Sequence, residues 1–297
     1  MYILKKTIKT ALRCFLKEKI RLGTGAYVRR LLLPNLLSNT TSHEEFLGDI
    51  YKAVLQKKEG VIIDVGVNTG QTLFKMLSID KSRPYFGFEP QSTPASSVET
   101  FLIDNKITHY AILPIALSDH NGVIPINVRG EGIDSMASPV ASIVDGFRPK
   151  NFYSYAKYVY AAYGDEVIDS LNIAAITLIK VDVEGAELEV IRGLKATIEK
   201  YRPFILFEVL HHYLAVTKEE LDKKTIDFRE SRIQELEEII RARRYHVYQI
   251  DGSKALTKTA KIEPKFVNDL ASTDFIAVPH EHESEFCGLL AKSRLLS

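Results

Sequence analysis

The sequence predicts an α/β protein whose parallel sheet is covered by helices on both faces and ends in an antiparallel edge. Three observations carry this reading. Apolar runs of strand length alternate with segments of helical periodicity from residue 43 to about 244, the pattern of βαβ units. The runs at 61–65 and 174–183 are nearly continuous in apolar and β-branched residues, as strands buried on both faces are. The last two runs, about 245–250 and 274–279, have no helical segment between them, which makes the final strand antiparallel.

The elements follow in order. Phe46, Ile50 and Val54 recur four apart and predict a helix over 43–58, which Gly60 ends. Strand 61–65 runs into Asp64, and Gly66, Asn68 and Gly70 then alternate before a helix over 71–79. A glycine loop opening onto a helix N-terminus brings free N–H groups close to a ligand. A short strand YFGFEP, a helix over about 94–105 and a strand over 110–117 come next. Asn121-Gly122 lies between two apolar runs and predicts a hairpin. Residues 129–165 are less regular. Beyond strand 174–183, Gly185 opens a helix over 186–199, strand 203–210 follows, and a helix spans 228–244.

Composition excludes several classes. The chain has 297 residues, 45% of them hydrophobic, with a formal net charge of +1. That suits one large or two small domains with a substantial core and gives no footprint of a nucleic-acid binder. Cys14 and Cys287 form neither a metal spacing nor a disulfide framework, so a cytoplasmic setting is expected. No apolar run reaches the ~18 residues of a membrane span. The first thirty residues hold nine Lys/Arg against one acid, Glu18. With Ile8, Leu12 and Phe15 on one helical face, they read as a basic helix packed on the domain or touching an anionic membrane surface. The expected layout is a helical extension over 1–42, one α/β domain over 43–280 and a tail over 281–297.

Ligands of open α/β sheets sit at the carboxyl ends of the strands. Asp64, Gly66, Asn68 and Gly70 end strand one, and Glu89 ends strand two, where an acid can accept both ribose hydroxyls. A dinucleotide fingerprint needs G-x-G-x-x-G; here Asn68 and Gln71 replace the second and third glycines. S-adenosylmethionine fits this loop better than a dinucleotide, which stays as an alternative. At the far end, Asp182 and Glu184 follow strand four, and Glu208, His211 and His212 follow strand five. Either His211 or a carboxylate acts as general base on a hydroxyl, or Asp182 and Glu208 hold Mg²⁺. Glu184 reads equally well as the cap of helix 186–199, and His212 as a surface residue.

These segments carry a resemblance. DVGVNTGQT at 64–72, FEP at 88–90, IALSDHNG at 115–122 and IKVDVEGAELEVIRG at 179–193 stand in the order and spacing of FkbM-type methyltransferases. Over about residues 60–280 the chain resembles that family, with Val67 where alanine is usual. The resemblance implies a class I, Rossmann-like, mostly parallel seven-stranded sheet and S-adenosylmethionine-dependent O-methylation of a saccharide or glycoconjugate. It implies that Asp64 and Gly66 line the methionine end and Asn68 the loop, that Glu89 holds the ribose, and that Ser118 and Asp119 lie near the adenine. Asp-x-Asn-Gly is equally good turn chemistry. Residues 147–163 hold two Phe and five Tyr, of which Tyr153 and Tyr155 are candidates for acceptor contact. The competing readings are a non-catalytic nucleotide-binding or scaffolding protein on the same fold and an NAD(P)-dependent dehydrogenase.

Overall fold

The structure, a computed structural model, describes residues 42–130, 136–149, 151–212, 222–251, 256–267 and 269–292. The expected helical extension over 1–42, with its membrane contact, lies almost wholly outside these residues. In chain order, α1 (Ser42–Lys57) leads to β1 (Val61–Val65), α2 (Gln71–Ile79), β2 (Tyr85–Phe88), α3 (Ser92–Asp104) and β3 (Tyr110–Leu113). Three strands follow, β4 (Ala116–Ser118), β5 (Gly122–Val128) and β6 (Tyr155–Tyr163), and then α4 (Gly164–Ser170). Next come β7 (Ile176–Val181), α5 (Glu187–Gly193), α6 (Lys195–Tyr201), β8 (Phe204–Glu208) and α7 (Lys223–Ala242). The chain closes with β9 (Tyr245–Ile250), β10 (Leu256–Thr259), β11 (Asp274–Pro279) and α8 (His280–Lys292).

Eight of these strands form one sheet in the order β10-β9-β11-β8-β7-β1-β2-β3. The block from β8 to β3 is parallel, and β11, β9 and β10 pair antiparallel at the edge. Alternation along each strand splits the core in two. Ile62, Leu178, Phe204 and Leu206 face a cluster with α1, α2, α3 and α8, and Ile63, Val65, Ile179 and Phe207 face one with α4 to α7.

The structure departs from expectation in five places. Pro114 stands where strand 110–117 was expected to run on, and β3 stops just before it. The Asn121-Gly122 hairpin does not form, because β6 inserts between β4 and β5 to make a separate sheet of order β4-β6-β5. Asn121 is held instead by that third strand: its Oδ1 accepts the Tyr163 amide at 2.8 Å. Helix 186–199 breaks into α5 and α6 at Gly193-Leu194, where a Cβ on Gly193 would lie 2.0 Å from the Ser118 carbonyl oxygen. The main sheet has an eighth strand, β10. Finally, the expected tail over 281–297 is helical as far as Lys292, because Phe286 and Leu290 are fully buried in the α1-side core.

Candidate active site

The parallel strands β1, β2, β7 and β8 end along one edge of the sheet, and a cavity of about 240 Å³ opens there. Its walls include Gly66, Asn68, Glu89, Gln91, Asp182, Glu184 and Glu208, with Ile115–Leu117, Ile126 and Ile143 as apolar surface. Gly66 has φ +89°, and a Cβ there would lie 1.8 Å from the Asp182 carbonyl oxygen. Only glycine lets the loop after β1 press against the end of β7 in this way. Asn68, at φ +48°, also takes the left-handed region that Asn tolerates. This turn aims the Asn68 N–H at Glu89, whose Oε2 accepts it at 2.8 Å. The other carboxylate oxygen accepts the Gln91 amide at 2.9 Å. Burial pushes the Glu89 carboxyl up to about 7, although these two amides favour the ionised form.

Asp64 lies behind the loop and does not reach the cavity. On the α1 side of β1 it is fully buried, accepts the Tyr85 hydroxyl, and sits opposite Lys180 in the β1–β7 register. The Lys180 ammonium is 3.5 Å from Asp64 and 3.1 Å from Asp182, and it donates to the Gly66 carbonyl at 3.4 Å. One buried cation thus fastens the glycine loop to the end of β7.

At the opposite end, carboxylate oxygens of Asp182, Glu184 and Glu208 lie within 4.8 Å of one another. Glu184 has φ +55°, a strained conformation for this residue type. It pairs at 2.9 Å with Arg148, whose side chain is almost fully buried. Burial raises Glu184 to about 7 against the pull of Arg148. Burial, and then the neighbouring Asp182 and Glu184 charges, push Glu208 well above the carboxylate range. Glu184 does not cap the following helix. Glu187, the first residue of α5, braces the turn that precedes the helix, accepting the amides of Val183 and Gly185 at 3.2 Å each.

The structure therefore brings Gly66, Asn68, Glu89, Asp182 and Glu208 around one cavity and leaves other candidates outside it. Gly70 (φ +88°) is the N-cap of α2. Ser118 is buried behind the wall, and Asp119 pairs with His120 and Arg192, while the preceding Ile115–Leu117 face the cavity instead. His211 is buried with both ring nitrogens engaged: Lys265 N–H donates to Nδ1, so Nε2–H donates to Ser272 Oγ at 2.7 Å. Burial lowers its pKa, and it has no free nitrogen for base catalysis. His212 is not a surface residue but fully buried, its ring tilted against that of Phe266 at 4.5 Å and bonded to Glu230. Tyr153 packs edge-on against Phe152, and Tyr155 lies half-exposed on β6 beside Lys157.

Sequence reasoning missed Gln91 and Ser138, and read Glu184 as a cap as readily as a site residue. Gln91 follows the FEP motif directly and was findable there. Ser138 lies in the irregular stretch, where no periodicity marks it.

A parallel block with a glycine loop after β1, an acid after β2 and acids after β7 and β8 defines the class I Rossmann-like methyltransferase fold. Residues 64–247 match the Methyltransferase FkbM domain, and the chain belongs to that family. It is 27% identical over 158 residues to the 2-O-methyltransferase NoeI of Sinorhizobium fredii (strain NBRC 101917 / NGR234), a match spanning 50% of this chain and 63% of that protein. In structure it is similar to methyltransferase FkbM from Methylobacillus flagellatus KT (TM-score 0.42, 13% identity, 74% of this chain and 43% of that one). It is also similar to SMU.1697c from Streptococcus mutans, solved in complex with SAH (TM-score 0.40, 10% identity, 78% and 94%).

Proposed function

We propose that the chain is an S-adenosylmethionine-dependent O-methyltransferase that acts on a hydroxyl of a saccharide or glycoconjugate. The observation that carries this reading is a single cavity with a buried ribose-type acid, Glu89, at one end and the Asp182–Glu184–Glu208 carboxylates at the other. A binding scaffold has no need of the second set. The named 2-O-methyltransferase relative supports O-methylation, and the saccharide class is what the family resemblance implies.

The residues fit the cofactor. The buried Asn68 Oδ1 accepts no hydrogen bond among the described residues and is open to an amine, and Glu89 is placed for ribose hydroxyls. When bound, the cofactor supplies an electrophilic methyl group. The chain's own part is to seat an acceptor hydroxyl beside Asp182 and Glu208 and to take its proton onto a carboxylate. Lys180 and Arg148 offset the remaining negative charge. A second reading has its own observation: three carboxylates with oxygens within 4.8 Å are a donor set for a hard cation such as Mg²⁺, which would lower the hydroxyl's pKa. Two of them already carry a protein cation, which favours the metal-free reading.

Calorimetric titration with S-adenosylmethionine, S-adenosylhomocysteine and NAD(H) tests the cofactor, and binding of NAD(H) alone would overturn it. Transfer of labelled methyl to a panel of saccharides, with and without EDTA and Mg²⁺, tests acceptor and mechanism. Asp182→Asn is expected to lower turnover by roughly 10²–10⁴-fold with unchanged circular dichroism; near-normal turnover would refute its role.

A further inference from the structure

The two walls of the cavity meet at one side chain. Gln91 occupies the N-cap position of α3, where a side chain ordinarily serves the helix's first amides, but it makes no capping bond. Its amide instead crosses to the segment 136–149. Nε2 donates to the Ser138 carbonyl at 3.0 Å, and the Ser138 N–H donates to Oε1 at 3.0 Å. This is a reciprocal pair resembling one rung of a β-ladder. The Gln91 backbone N–H meanwhile donates to Glu89 Oε1, whose other oxygen holds Asn68. At its far end the same segment is tied to the reacting side, by Arg148 to Glu184 and by the fully buried Arg229, which donates twice to the Phe147 carbonyl.

We propose that Gln91 is a positioning residue that couples a nucleoside held at Glu89 to the 136–149 wall, so that cofactor binding tightens the side of the cavity facing the acceptor. The inference rests on reading Glu89 as the ribose acid. Its physical basis is the shared carboxylate. Hydroxyls donating to Glu89 favour its charged form, and a charged oxygen is a stronger acceptor for the Gln91 N–H. That bond anchors the residue whose side chain clasps Ser138, and buried polar networks couple in this way.

Amide hydrogen exchange on the full chain, with and without S-adenosylhomocysteine, tests this alongside calorimetry. In the wild-type protein the ligand is expected to slow exchange at Ser138 and its neighbours roughly tenfold, the equivalent of about one hydrogen bond. Gln91→Met is expected to bind the ligand but lose that increment. A purely structural Gln91 would lower protection by the same factor in both states. Should Gln91→Met fail to fold, Gln91→Glu keeps the acceptor for Ser138 N–H and lacks the donor to its carbonyl; the same loss is expected. An increment that persists in the variant, or is absent from a wild-type protein that binds the ligand, overturns the coupling. A wild-type protein that does not bind S-adenosylhomocysteine overturns the cofactor reading, and the coupling with it.

Discussion

Glu89 concentrates the electrostatics of the site in one side chain. Burial holds its carboxyl up at about 7 while two backbone amides point at it. A ligand that adds hydroxyl donors favours ionisation, so binding near pH 6 should release a proton, and the release should fade above pH 8. Calorimetry in two buffers of different ionisation enthalpy checks this, and a binding heat independent of buffer would refute it. Glu89→Gln keeps the shape but removes the charge. A hydrogen bond to a charged group contributes about 1.5–3 kcal/mol, so S-adenosylhomocysteine affinity should fall roughly tenfold to hundredfold. His211 makes the opposite case. Its ring links Lys265 to Ser272, which donates on to Asp269 at 2.8 Å. His211→Gln should therefore lower the unfolding midpoint while leaving turnover per folded molecule within a fewfold; loss of turnover in a stably folded variant would restore it as a base.

In the proposed reading, the element that joins binding to chemistry is the turn from β7 into α5. It places Glu184 and Glu187 three residues apart on either side of Gly185, and burial raises both to about 7 from an ordinary 4.5. A carboxyl raised on folding contributes stability that is full below its unfolded value and lost as pH rises through its folded value. The ligand-free protein should thus lose stability between about pH 5 and pH 8, on the order of 1–3 kcal/mol for each of these groups. Glu184→Gln should flatten the urea-midpoint profile across that range; a profile as steep as wild type would place the titration elsewhere. This turn was partly legible in the sequence. Asp182 and Glu184 are visible as acids at a strand end, but whether Glu184 caps the helix or faces the cavity depends on Arg148, 36 positions away. The Asn121-Gly122 hairpin failed for the same reason. Turn chemistry is local, whereas the strand that displaced the pairing, β6, enters from beyond residue 150. His211 likewise stood at the right strand end, and only its distant partners revealed that both nitrogens were taken.

At the scale of the molecule, the sheet separates the candidate site from the C-terminal helix. The cavity sits where the parallel strands end, while α8 starts at the opposite edge, beside the segment that leads into β8: Glu281 pairs there with Arg202, and the His280 amide donates to Arg244. The helix then runs across the α1-side layer, with Phe286 at 5.3 Å from Phe204 and Lys57 paired to Glu285. Its period is hidden because every residue of His280–Glu285 is charged or polar, so only Phe286, Leu289 and Leu290 carry the pattern. Each large apolar side chain so buried contributes about 1.5–3 kcal/mol, a large share of the ~5–15 kcal/mol that stabilises a domain. Removing residues 280–297 should therefore lower the unfolding temperature sharply or prevent folding altogether. The milder Leu290→Ala should cost roughly 2–5 kcal/mol. Because α8 touches neither Glu89 nor the Asp182–Glu208 end, folded Leu290→Ala should bind S-adenosylhomocysteine with wild-type affinity. A stable variant with weakened binding would mean that the α1-side layer reaches the cavity through Lys180, which touches both the buried Asp64 beneath the loop and Asp182 at its rim.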